Sequence, residues 1–310
     1  MNIILVGLWM DKNRISFSQY KMWRECNYRW KLNYVDNLRT YNQTIHTIFG
    51  TAVHRVLQDW MEEDLYGDKT QKYATTVDLS DKFKDILMEE AKPHIKTEDG
   101  FLFTRQELEE FYHQGCEIIQ YVQKNQEKFF PTKDTKLFAI EHELSADIND
   151  YVYFIGYIDV VTYNEKTGEY TLYDLKTSSR GWNKYAKQDK KKTDQVLLYK
   201  IFFAKELGIP HDKIKVAFTI LKRILIESQY PIPRVSEFVP PNGAPSLRKA
   251  WDGMSEFVDK AFIDEGYNSN QIANPSKNNC RFCEFSENGV CEFSAKKQKP
   301  TPKKEEWVSL

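Results

Sequence analysis

A chain of 310 residues, 41% hydrophobic and 14% aromatic, carries enough apolar mass for a full core in one large domain or two small ones. Mean hydropathy is −0.63, and no apolar run approaches the roughly twenty residues of a membrane span. The formal net charge of −1 gives no overall attraction to polyanions, so any nucleic-acid surface must come from locally concentrated basic residues.

The opening MNIILVGLWM lacks a basic leader and a small-residue cleavage site, and is read as a strand or helix start in a cytosolic protein. Five cysteines in a reducing compartment are not expected to pair, and clustered thiols there point to metal or catalysis. From residue 16 to 40, Ser16 and Ser18 offer helix caps, and Tyr20, Trp23, Tyr28, Trp30 and Leu32 follow at helical spacing. A second helix is expected from Thr47 to Tyr66, with Ala52, Val53, Val56, Leu57, Trp60 and Met61 as its buried stripe. Helices over Asp81–Ala91 and Arg105–Phe129 complete a mainly helical first part, which stops at Pro131.

From Lys136 the pattern turns to strands: LFAIEHELSA, VYFIGYIDVVTY and GEYTLYDLKTS, the last two joined through the turn cluster NEKTG as a hairpin. A helix over Thr193–Leu207 closes at Gly208 and Pro210. Further strands are expected at KVAFTILKR and around Glu237–Val239, then a helix over Ser246–Phe262. This divides the chain into a helical part (1–135), a catalytic sheet core (136–240) and a C-terminal helix with a cysteine cluster (241–294), all one domain. A Lys- and Pro-rich tail (295–310), expected to be disordered, follows.

A hairpin centred between Lys166 and Thr167 sets Asp159 directly opposite Asp174, with Lys176 two residues on, all on one face. Opposed side chains have Cβ atoms about 4.5–5.5 Å apart, so two carboxylates there call for a cation between them. Hard oxygen ligands favour Mg2+ or Mn2+, which polarise a phosphate and acidify a bound water, while the lysine orients that water or neutralises developing charge. Directly after this hairpin, Arg180, Lys184, Lys187, Lys190, Lys191, Lys192 and Lys200 stand against only Asp189 and Asp194. Trp182 and Tyr185 are interleaved with them as stacking surfaces for a single strand. Glu141, on the strand before the hairpin, is read as solvent-facing.

Four segments, SFSQYKMWRECNYRWKLNY, GTAVHRVL, GYIDVV with YDLKTS, and QVLLYK, span Ser16 to Lys200 in an order that resembles the PD-(D/E)XK nuclease superfamily. The resemblance is to its RecB-like branch, which includes the AddB nuclease domain, the CRISPR-associated spacer-acquisition nuclease and phage-type exonucleases. It implies an α/β restriction-endonuclease-like core, a mixed central sheet flanked by helices, with a helical N-terminal portion and an iron–sulfur C-terminal clip. By the same resemblance His54, Asp159, Asp174 and the Leu175 carbonyl would be metal ligands, Lys176 the catalytic lysine, and Gln195 and Tyr199 a trailing motif near the substrate. Ile158 replaces the proline of the superfamily's name, which removes no functional group. Singly, His54 and the Gln195/Tyr199 pair have ordinary packing explanations, and the ordered combination carries the reading.

Near the C-terminus, Cys280, Cys283 and Cys291 form C-x2-C-x7-C, one thiol short of a usual four-ligand site. The resemblance places the fourth at Cys26, giving a [4Fe-4S] cluster. The long last spacing keeps Zn2+ as the alternative, and Cys116 reads as a buried helical thiol.

The function expected is a metal-dependent exonuclease acting on single-stranded DNA or DNA ends in recombination, repair or replication, in a bacterial or phage-infected cytosol. With no phosphate-binding G-x-x-x-x-G-K-[ST] loop, any helicase or recombination partner would be a separate protein, with the tail as a candidate docking segment. The rival readings are a non-catalytic DNA-binding subunit that keeps the fold, and an RNA nuclease.

Overall fold

The structure is a computed structural model that describes residues 12–39, 43–67, 76–97, 100–224, 232–263 and 271–295. The expectations for MNIILVGLWM and for the tail beyond residue 295 lie outside the described residues. Two compact units are formed: Met1–Ile15 with Asn42–Gly253, and Ser16–Tyr41 with Met254–Leu310.

In chain order the elements are β1 (Asn13–Ile15), α1 (Phe17–Glu25), α2 (Asn27–Tyr34), α3 (Ile45–Trp60, continued by a π-helical turn over Met61–Leu65) and α4 (Ser80–Ala91). A two-stranded ribbon of β2 (Lys96–Thr97) and β3 (Gly100–Phe101) leads into α5 (Arg105–Lys124) and α6 (Gln126–Phe129). Then come β4 (Thr135–Asp147), β5 (Val152–Asn164), β6 (Glu169–Ser178), α7 (Lys184–Gln188), α8 (Lys190–Leu207) and β7 (Ile214–Lys222). The chain continues through β8 (Val235–Phe238), α9 (Ala244–Val258), α10 (Lys277–Arg281) and α11 (Glu284–Glu287).

The first unit is built on a six-stranded mixed sheet. Strands β4, β5 and β6 are antiparallel neighbours, β7 runs parallel to β6 after the α7–α8 crossover, and β8 returns antiparallel to β7. A parallel return needs a crossover of a dozen or more residues, and α8 supplies it. Along one face, α3 presents Ile48, Phe49, Ala52, Val53, Val56 and Leu57 at helical spacing into a core shared with α4, α5, Val160, Tyr173 and Leu175. Full burial of such a side chain contributes roughly 1.5–3 kcal/mol, so this stripe is what holds α3 on the sheet. A Thr44–Thr47 capping box starts that helix two residues earlier than periodicity alone predicts. On the other face α8 lies with Phe202 stacked on Phe154 at 4.3 Å and Phe203 against Tyr170 at 5.3 Å. The fold is thus the α/β sheet flanked by helices that was expected.

In the second unit the expected continuous helix is broken. Ser16 caps α1, but Cys26 is extended (φ −161, ψ 111), ending α1 and starting α2. Trp30 packs edge-on against Phe257 and Phe262, and Arg29 and Asn33 both bond the Glu284 carboxylate.

Candidate active site

The hairpin register is the expected one: Asn164 pairs with Glu169 and Val160 with Tyr173 around a turn closed by Gly168, whose φ of 65 suits glycine. The ladder then stops. One step further, Asp159 and Asp174 form no ladder pair; instead Asp159 Oδ2 accepts from the Leu175 main-chain N–H at 2.6 Å. The same edge of β5 pairs with β1 only over Val152–Phe154, so β5 and β6 part at Asp159.

The two acids nonetheless act on one another, and Asp174, with Lys176, on His54. Tyr173 and Leu175 belong to the core beneath α3, so strand alternation turns Asp174, between them, toward the α8 side. Asp159 is met from the α3 side by His54, whose Nδ1 lies 3.9 Å from Asp159 Oδ2. The sheet is irregular at this point. Gly156 contacts Tyr199 of α8, while Val160, of the same parity, sits under α3, so alternation slips beside Asp159. Opposite, on β4, Glu141 has φ 47. The register is the same on either side of this step, so the irregularity involves no inserted residue.

Lys176 Nζ lies 2.7 Å from Asp174 Oδ2. That oxygen is buried, and the Lys176 ammonium is its partner. Desolvation pushes Asp159 and Asp174 up to about 6, opposed by the charge of Lys176. Burial, helped by Lys176, takes His54 down to about 4, so its imidazole is neutral at neutral pH and free to act as a ligand. For Lys176 the pull of Asp174 and Asp159 outweighs desolvation and raises its pKa. This favours the charged form in the ion-free protein.

Gln195 Nε2 donates to the Tyr199 hydroxyl at 3.0 Å, and the Asp174 charge, after desolvation, raises Tyr199 to about 12. The trailing pair therefore stands within the field of the acids. Gly156, in the GYIDVV segment, is there because a Cβ would meet the Tyr199 ring at 2.8 Å. Leu175 contributes its backbone: the N–H holds Asp159, and its main chain also touches His54. Two residues of the site carry little or no signal in the sequence. Glu141 is exposed, as expected, yet its carboxylate accepts from Gln58 Nε2 and its charge acts on His54 and Asp159. Gln58 itself, four residues after His54 on α3, has no sequence signal beyond that spacing.

Of the basic stretch, Arg180, Lys184, Tyr185 and Lys190 are exposed, and Lys187, Lys191 and Lys192 are partly so. Tyr185, 70% exposed, is an open aromatic surface. Trp182 instead packs on Phe218 at 4.9 Å with Lys192 over its ring.

Could these residues hold the expected groups? For a divalent cation the donor types fit, two buried carboxylates and a neutral imidazole whose Nδ1 lies 3.9 Å from Asp159 Oδ2, although these three side chains do not stand at metal-holding spacing. In the second unit Cys26, Cys280, Cys283 and Cys291 line one cavity of about 20 Å3, and none is in a disulfide. Among the described residues no three His, Cys, Asp or Glu side chains stand at metal-holding spacing, so the thiols share a cavity without forming a closed cage. Cys116 is partly buried on α5.

A mixed sheet that parts beside two carboxylates, with a lysine two residues past the second, is an α/β core of the PD-(D/E)XK kind. The chain belongs to the PD-(D/E)XK nuclease superfamily, whose sequence profile matches residues 14–292. Members typically hydrolyse phosphodiester bonds and generally use Mg2+ or Mn2+. No curated protein matches the chain.

Proposed function

We propose that the chain is a metal-dependent deoxyribonuclease of the RecB-like branch, an exonuclease acting on single-stranded DNA or DNA ends in recombination, repair or replication. The observation that carries this reading is the pair of buried carboxylates, Asp159 and Asp174, with a neutral His54 3.9 Å from Asp159 Oδ2 and Lys176 2.7 Å from Asp174 Oδ2. Two buried carboxylates set against one lysine leave a negative charge uncompensated, and a hard cation offsets that penalty. A bound Mg2+ or Mn2+ supplies Lewis-acid polarisation of the phosphate and an acidified water.

The chain's own groups do the rest. His54, Asp159, Asp174 and the Leu175 carbonyl would hold the ion, and Lys176, in its charged form, neutralises developing charge on the phosphate. Gln195 orients the Tyr199 hydroxyl at the rim. Lys184, Lys187, Lys190, Lys191 and Lys192, with Arg180 and Tyr185, track the strand. Lys190–Lys192 occupy the first turn of α8, where cations oppose the helix dipole, and DNA phosphates offset that opposition. Cys26, Cys280, Cys283 and Cys291 would carry a [4Fe-4S] cluster, with Zn2+ as the alternative, and any helicase or recombination partner is a separate protein.

The test is digestion of labelled single strands, duplexes and end-blocked circles with Mg2+ or Mn2+. Loss of linear single strands with circles spared is the expected result. Cleavage of circles contradicts the exonuclease reading, and cleavage of RNA alone contradicts the choice of DNA.

A further inference from the structure

Gln58 is 7% exposed and stands one turn beyond His54, on the same side of α3. Its Nε2 donates twice, to the Glu141 carboxylate and, at 3.1 Å, to the main-chain oxygen of Asp159, which uses both amide hydrogens. Both acceptors lie at the irregularity of the sheet. Ile140 pairs with Val160 and His142 with Ile158, but the step between them, Glu141 opposite Asp159, forms no ladder pair. Glu141 has φ 47 there, a conformation strained for a residue with a Cβ, which persists only where surrounding bonds over-determine it. Gln58 supplies those bonds from the neighbouring helix. Without it the Asp159 carbonyl loses this buried donor and the exposed Glu141 side chain is free to turn into solvent.

We infer that Gln58 is a positioning residue of the candidate metal site, fixing the Asp159 main chain and the Glu141 carboxylate so that their acidic groups face the place His54 also faces. This rests on the metal-site reading above. It goes beyond that reading because it makes α3 the element that sets ion affinity, through an uncharged residue that touches neither ion nor substrate. Partners that orient metal ligands typically change affinity roughly 10- to 100-fold when removed, without taking away a ligand.

The experiment is calorimetric titration of Mn2+ into the full-length protein, wild type against Gln58→Met, which nearly keeps side-chain volume, and against Glu141→Gln, a change at an exposed residue. Gln58→Met should weaken Mn2+ binding roughly 10- to 100-fold. Its cleavage should be recovered by added Mn2+, so that the activation midpoint moves far more than the saturated rate. Glu141→Gln should weaken Mn2+ binding as well, and the double variant should lose less than the product of the two single losses, because both act through one clamp. Mn2+ affinity within twofold of wild type in either folded single variant overturns the inference, leaving Gln58 a packing residue. Should Gln58→Met not fold, Glu141→Gln decides alone. If wild type neither binds Mn2+ nor cleaves under any metal, the metal-site reading itself fails and this inference falls with it, an outcome distinct from tight wild-type binding with unchanged variants.

Discussion

At the scale of single residues, burial acts oppositely on the acids and the histidine. Asp159 and Asp174 hold protons up to about pH 6, whereas an unfolded aspartate releases its proton near the ordinary value of 3.8. Between those values the folded, ion-free protein binds more protons than the unfolded chain, so its stability falls as pH rises through that window and then levels off. A divalent ion needs both carboxylates ionised, so ion affinity runs the other way: Mn2+ binding should weaken below about pH 6, by up to about tenfold per pH unit for each proton displaced. His54, lowered from 6.5 to about 4, offsets part of that fall in stability, since between those values the unfolded imidazole holds a proton that the folded one has lost, and it adds no step to ion affinity near neutrality. Calorimetry at stepped pH checks this, and a flat profile from pH 5 to about 7 would refute the assigned ligands. A second prediction concerns Gly156→Ala, whose Cβ would lie 2.8 Å from the Tyr199 ring and 2.9 Å from that of Phe154. Overpacking of this kind costs about 1–3 kcal/mol, readable as a lower melting temperature. Asp159, Asp174 and Lys176 could be put forward from the sequence because their spacing within one hairpin is local, and His54 only through the ordered resemblance of four segments. Gln58 and Glu141 could not, because their meaning arises from a hydrogen bond across 83 positions.

Among the elements, α8 shows a conflict between helix stability and charge. Lys190, Lys191 and Lys192 fill its first turn, where the unpaired N–H groups already carry partial positive charge. Replacing all three by glutamine should therefore leave the protein as stable or slightly more so, yet weaken single-strand binding. The slope of log affinity against log salt should become shallower by about 0.7 for each phosphate that is no longer neutralised. Fluorescence anisotropy at several salt concentrations reads both quantities; unchanged slope and affinity would remove these lysines from the DNA path. Strand positions were legible to within a few residues because alternation and the NEKTG turn are explicit in the sequence. Helix α8 starts three residues before the expected Thr193, because the Asp189 cap, which bonds the Lys191 N–H at 3.0 Å, lies among lysines that mask the helical pattern. The break at Cys26 was hidden because Trp23, Tyr28 and Trp30 keep apolar spacing across it.

For the molecule as a whole, the second unit joins two segments far apart in the chain, and Cys26 is separated from the other three cavity-lining thiols by some 250 positions. A ligand set of that span closes a long loop, so Cys26→Ala should strip bound metal as completely as Cys283→Ala. Anaerobically purified wild type should be brown and carry iron. Zinc without iron would favour the alternative metal, and full metal content in Cys26→Ala would remove the distant ligand. The cysteine spacing is visible in the sequence, but only the fold brings Cys26 to the same cavity. Whether the parted strands β5 and β6 carry a metal-dependent phosphodiester-cleaving site is decided by one paired experiment: degradation of end-labelled single-stranded DNA by wild type and Asp174→Ala, with and without Mn2+. The expected result is Mn2+-dependent degradation by wild type and none by the variant, with a lower melting temperature for the ion-free variant, because the substitution leaves the Lys176 charge without its partner at 2.7 Å. Degradation by Asp174→Ala at the wild-type rate would contradict the assignment of the site.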